Sequence, residues 1–256
     1  MKALFTFLSL APAIFAQSTL APPHIGFVQD GRGSVHSVLG VAGNFLVGRA
    51  VSSGAVASAY AGSLGLIETD TQLIVTNAKG DAIATADAPK GPAVFGFSSD
   101  GVTALAYFQS TNTAITWNGR AFQSIQLDPV AGTVVSVAPG KSGNAALIIE
   151  RGGELFQVTV NLNTGAAVSQ EALAGITAPA LLDASGDLLY TNARGLVIRK
   201  ADGIEKQIAA RLPKNFGLRQ MGNGWIEVSD FASGQLFAVC VQNGHEAYFT
   251  LPEVRQ

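Results

Sequence analysis

Three histidines, His24, His36 and His245, are the first residues to test for metal or proton chemistry. None stands at a spacing that lets two imidazoles share a metal, and no HExxH or Cys/His cluster accompanies them, so no metal site is expected. Asp183 and Asp187 lie four apart in Asp183-Ala184-Ser185-Gly186-Asp187. A calcium loop needs a denser ladder of oxygen ligands and a downstream bidentate acid, so this segment reads as a turn with a solvated carboxylate. Serine is plentiful, but no G-x-S-x-G elbow is present, and three scattered histidines give little support to a Ser-His-acid triad. Cys240, the single cysteine, sits in Leu236-Phe237-Ala238-Val239-Cys240-Val241. There it reads as a small buried hydrophobe, and an internal disulfide is impossible. Gly31-Arg32-Gly33 reads as a hairpin turn, not the opening of a phosphate-binding helix. Gly40, Gly43 and Gly48 read as points of tight backbone passage. No cofactor is expected.

The elements that would position any such residues begin after a leader. Met1-Lys2 is followed by the apolar run 3–16 and then Gln17-Ser18. One cation, a short apolar stretch and a small residue at its end are the layout of a secretory signal peptide, with cleavage expected after Ala16. The run is shorter than the roughly 20 apolar residues of a membrane-spanning helix. Export to the periplasm or medium is therefore expected, with 1–16 as signal peptide and 17–256 as one domain. The formal net charge of −2 comes from sparse, scattered residues with no basic run. Nucleic acid, which demands a concentrated cationic face, is excluded as a partner.

Beyond the leader, short runs rich in Val, Ile, Leu, Phe, Ala and Thr alternate with Gly, Asn, Asp and Ser clusters. No segment keeps helical apolar spacing over helical length. The runs group in fours, and successive groups open at residues 55, 93, 134, 178 and 216, a repeat of roughly forty residues. Lys79-Gly80, Asn118-Gly119, Gly152-Gly153 and Asp202-Gly203 supply hairpin turns between runs. Ahead of the first group, 25–29, 34–39 and 40–48 form further β pattern around Asp30-Gly31-Arg32-Gly33. It reads either as the remains of a sixth unit or as strands that latch the ring.

This repeat resembles that of bacterial exported β-propellers in the broad sense. The resemblance rests on repeat length and strand order alone. The Gly-His and Trp-Asp pairs of WD40 blades are missing, since Trp117 precedes Asn118 and Trp225 precedes Ile226. A kelch-like double glycine occurs only at Gly152-Gly153, and the quinoprotein tryptophan motif is absent. The resemblance implies an all-β fold with five to six four-stranded blades, six with one atypical being preferred; a β-sandwich is the alternative. The runs expected innermost, 55–61, 93–97, 134–138, 178–182 and 216–220, contain no Asp or Glu. A propeller glycosidase would set two carboxylates face to face around the axis, so the sequence favours a monomeric, non-enzymatic binding or scaffold module for a protein or glycan. A glycoside hydrolase or lyase with loop-borne carboxylates is the alternative. Arg219 is the one charged residue on an innermost run and hence a candidate for binding an anion in the channel.

Overall fold

The computed structural model describes residues 22–253. The expected signal peptide lies outside the described residues. Among those residues every regular element is a strand.

The first sheet has three strands, β1 (His24–Gln29), β2 (Val35–Val41) and β3 (Asn44–Ser52). Strands β4 (Ala57–Ala61), β5 (Leu64–Glu68), β6 (Gln72–Asn77) and β7 (Ala82–Asp87) follow as an antiparallel meander. The next is β8 (Ala93–Phe97), β9 (Ala104–Phe108), β10 (Thr113–Trp117) and β11 (Phe122–Gln126). A third comprises β12 (Thr133–Pro139), β13 (Asn144–Arg151), β14 (Glu154–Asn161) and β15 (Ala167–Ala172). A fourth comprises β16 (Leu181–Leu182), β17 (Leu188–Asn192), β18 (Gly195–Arg199) and β19 (Glu205–Ala209). The last comprises β20 (Phe216–Gly222), β21 (Trp225–Asp230), β22 (Leu236–Cys240) and β23 (Ala247–Thr250).

Each sheet is covered on both faces by its neighbours, which is why the inner runs are nearly continuous in apolar residues instead of alternating with polar ones. On β9, Ala104, Ala106 and Phe108 pack toward the β4–β7 sheet, while Leu105 and Tyr107 pack toward the β12–β15 sheet. On β13, Ala145, Leu147 and Ile149 face one way and Ile148 the other. Further clusters join the β12–β15 sheet to the β16–β19 sheet, and that sheet to the β20–β23 sheet. Two more lie on either side of the β1–β3 sheet, one against β20–β23 and one against β4–β5. Fully burying a Leu or Phe contributes about 1.5–3 kcal/mol, so these interfaces carry the fold. Outermost strands such as β7 and β15 are largely exposed and carry Thr, Ser, Gln and acids.

A circuit of hydrogen bonds runs round the ring from sheet to sheet. Glu68 at the end of β5 accepts the N–H of Ala93 at the start of β8, at 2.7 Å. Gln109, just after β9, accepts the N–H of Val134 at 2.9 Å. The Ser136 hydroxyl on β12 accepts the N–H of Leu182 at 2.8 Å, and Gln220 on β20 donates to the Leu182 carbonyl at 2.9 Å. Finally β20 pairs in parallel with β4 through Met221 and Tyr60. The sheets thus follow one another round a centre and do not stack as the two layers of a sandwich.

The sheet count differs from the expected five to six separate four-stranded blades. Four sheets carry four or more strands, because the Met221–Tyr60 bridge fuses the last and first meanders into one eight-stranded sheet. The three-stranded sheet forms no further four-stranded blade, and its first strand, β1, is buried against two innermost strands. Along β1, His24, Ile25 and Gly26 lie beside Asn223, Gly222 and Met221, and Gln29 meets Arg219. Phe27 likewise stacks on Tyr60 while Gln29 meets Ser58. β1 therefore runs against both β4 and β20, which run parallel to each other. It is a wedge at the closing seam: β1–β3 remain a sheet of their own, neither a sixth four-stranded unit nor strands added to the last one.

Candidate functional site

A groove of about 980 Å³ opens along this wedge. The turn after β1 brings Asp30, Arg32 and Ser34; β2 brings His36; β3 brings Val47, Gly48, Arg49 and Ala50. The opposite wall is the β21–β22 turn, Ser233 to Leu236, and the chain end at Pro252 and Glu253. Among the described residues no Phe, Tyr or Trp lines it.

Asp30 shapes the turn. Its Oδ1 accepts the N–H groups of Arg32 and Ser34, both at 2.9 Å, and its Oδ2 faces His36 Nε2 at 3.3 Å. Burial pushes the Asp30 carboxyl up, but the Ser34 and Arg32 N–H groups together with His36 hold it below the usual carboxylate range. His36 is buried, and its Nδ1 faces the Gly48 carbonyl at 3.1 Å. Both imidazole nitrogens therefore look at oxygen acceptors. Neither offers a lone pair to a serine hydroxyl, so this His–Asp pair braces the groove wall and is not the base of a nucleophilic triad. Arg32 and Arg49 make no ion pair among the described residues, like most of the described Lys and Arg side chains, and Asp30 and Glu253 line the groove beside them. The groove thus presents two uncommitted guanidiniums on a rigid β frame, suited to carboxylate or phosphate groups.

Arg219 lies at the same seam, deeper in the wedge. Its guanidinium donates to Glu227 Oε1 at 2.7 Å, to Gln29 Oε1 at 2.8 Å and to the Ser229 hydroxyl at 3.4 Å. Glu227 is buried, and Gln29 in turn accepts the Ser58 hydroxyl and donates to the Ala55 carbonyl. The network ties β1 to β4, β20 and β21. The recess where β12, β16 and β20 begin is separate, about 440 Å³, lined by Val135, Ala178, Pro179, Ala180, Phe216 and Leu218 together with Lys214, Asn215 and Gly217. No acid lines it. A further groove of about 550 Å³ between the β8–β11 and β12–β15 sheets is lined by hydroxyls and amides, among them Thr116, Asn118, Gln123, Asn144 and Asn163.

The other buried acids are occupied structurally. Glu68 holds Ala93, and Asp187 is paired with Lys200 at 2.5 Å. Asp183 accepts the N–H groups of Ser185 and Asp187 within its turn. Burial, with Asp187 adding to it, pushes its carboxyl up to about 6. Sequence reasoning took that turn as solvated; it is half-buried and borders a cavity of about 100 Å³. Among the described residues no group of three or more His, Cys, Asp or Glu is placed to hold a metal ion. Cys240 is buried in the β20–β23 core, and that burial pushes its thiol up, away from thiolate reactivity.

The wedge groove escaped the sequence reading because its walls come from the two ends of the chain. The only signal was that a ring must bring its first and last units together, so charges near residues 30–50 and 230–253 belonged to one surface.

No family model matches this chain, and no curated protein matches it. Among solved structures, a chain of a nidogen/laminin complex superposes with a TM-score of 0.57 over 88% of this chain and 92% of that one, at 12% identity. The fold is that of a β-propeller. A β-propeller domain of Cps50 (Swd1) from Myceliophteria thermophila also matches, with a TM-score of 0.47 at 14% identity, over 79% of this chain and 72% of that one. At 12% identity the likeness to the nidogen/laminin chain speaks for the fold alone.

Proposed function

We propose that the chain is an exported, non-enzymatic propeller that holds an extended, acidic segment of a protein partner in the wedge groove. The observation that carries this reading is the pair of uncommitted arginines, Arg32 and Arg49, in a groove of about 980 Å³. At about 980 Å³ the groove is at the upper end of small-molecule pockets and has room for a segment of several residues. The absence of an aromatic platform among its lining residues favours polypeptide over glycan, since sugar rings are held chiefly by stacking. Val47, Leu236 and Pro252 supply apolar contact beside the charges. Export rests on the leader, 1–16. The nidogen/laminin complex, one chain of which this fold resembles, is an assembly between proteins, which agrees with a binding role.

The test is selection of random nine-residue peptides on the folded chain, followed by fluorescence anisotropy with the winners. Acid-rich sequences should dominate, bind more weakly as salt rises, and lose at least tenfold in affinity to an Arg32→Glu/Arg49→Glu variant. Selected sequences with no acidic bias, or turnover of aryl glycosides by the purified chain, would replace this reading by another.

A further inference from the structure

Where β1, β4 and β20 meet, three buried polar atoms have no protein hydrogen-bond partner: His24 Nε2, the Tyr60 hydroxyl and the Thr76 hydroxyl. Such orphans are rare in folded proteins, because a buried donor or acceptor gives up its water without recompense. Here they are neighbours. The Tyr60 ring lies across Gly65 beside Thr76, and a Cβ on Gly65 would overlap both. Phe27 stacks on Tyr60 with ring centroids 4.2 Å apart, and His24 packs on Phe27 at 4.6 Å. His24 and Tyr60 both line a closed-in cavity of about 10 Å³, with Gly26, Met221 and Gly222 forming other parts of its wall.

We infer that this cavity is a binding site for one water molecule, shared between the Tyr60 hydroxyl and His24 Nε2 at the seam that closes the ring. Its volume is about that of a single water, and two of its lining residues, His24 and Tyr60, bring buried polar atoms to an otherwise mostly apolar wall. Burial lowers the basicity of His24, which keeps the imidazole neutral and leaves Nε2 in need of one partner of either sign. A water serves both atoms because it donates and accepts. The Thr76 hydroxyl does not line the cavity, but it stands close enough to the Tyr60 hydroxyl to stabilise its charged form directly. The seam would then be closed by a hydrated polar contact and not by apolar packing alone.

Oxygen-17 relaxation dispersion counts long-lived buried waters and tests the site on the whole folded chain. The Tyr60→Phe variant should lose one such water, and a high-resolution crystal structure of the parent should place a water within hydrogen-bond distance of both Tyr60 Oη and His24 Nε2. An unchanged count in Tyr60→Phe, or density that contacts neither atom, overturns the site. If Tyr60→Phe does not fold, the crystal structure decides alone, because a dry cavity there is incompatible with the inference.

Discussion

Arg219 and Glu227 face each other across the β20–β21 pair, and the guanidinium that the sequence offered as a channel anion binder is held at 2.7 Å by a carboxylate that is itself 1% exposed. The pair is the centre of the wedge, because Gln29 of β1 is fastened to both partners. An ion pair out of water is worth little relative to apolar packing, yet breaking it leaves one charge stranded. Arg219→Ala should therefore destabilise the fold by about 3–5 kcal/mol in urea unfolding, and Glu227→Ala by a similar amount. The double variant Arg219→Met/Glu227→Leu should cost well under the sum. A neutral Arg219→Ala would mean that the pair does not hold the seam.

The clip between Glu68 and Ala93 gives a sharper test of the hydrogen-bond circuit. Glu68 is buried, and that burial raises its carboxyl, opposed by the Ala93 N–H and reinforced by Asp70. Glu68→Gln keeps an acceptor for the Ala93 N–H and removes a costly charge, so it should stay within about 1 kcal/mol of the parent. Glu68→Ala orphans that N–H and should cost about 1–3 kcal/mol. Equal unfolding midpoints for the two variants would dismiss the clip.

These relationships divide what the sequence made legible from what it did not. The four-strand meanders were readable, since the run 93–97 is β8 and Asn118-Gly119 opens the turn between β10 and β11 of the same sheet. Runs covered on both faces announce themselves by continuous apolar character, and turns by glycine and asparagine. The run 178–182 shrank to the two residues of β16, because Pro179 has no N–H to give a ladder. The direction of β1 was not readable. Apolar alternation is the same whether a strand runs with its neighbours or against them, and only long-range contacts such as Asn223 to the His24 carbonyl fix it. The pairing of Arg219 was hidden for the same reason: its partners Gln29 and Glu227 come from strands whose register the pattern leaves open.

Asp183 makes a pH prediction. Its carboxyl titrates near 6 in the folded chain against an ordinary value of 3.8. The native state therefore binds the proton more tightly than the unfolded chain. This contribution is fully present below the ordinary value and is lost as pH rises through about 6, by up to about 3 kcal/mol. Asp183→Asn, whose amide oxygen can still accept the Ser185 and Asp187 N–H groups, should flatten that loss and be more stable than the parent at pH 7. Urea midpoints at pH 4.5 and 7 decide it; parallel pH profiles for parent and variant would refute the assignment.

Gly26 tests whether the wedge is a separable latch. A Cβ on this residue would run into the Met221 carbonyl, a backbone atom of β20 with no freedom to yield. Gly26→Ala must therefore lift β1 off the seam, at a cost of about 1–3 kcal/mol or more for such overpacking. The damage should be local. Hydrogen exchange should accelerate across β2 (Val35–Val41), whose amides depend on a seated β1, while β9 and β13, buried between other sheets, keep their protection. Gly31→Ala, in the same hairpin but with open space around the added carbon, should leave both exchange and stability unchanged. If Gly26→Ala instead unfolds the whole ring in one step, the wedge is part of the same cooperative unit as the meanders, and the circuit from Glu68 to Gln220 cannot stand without it.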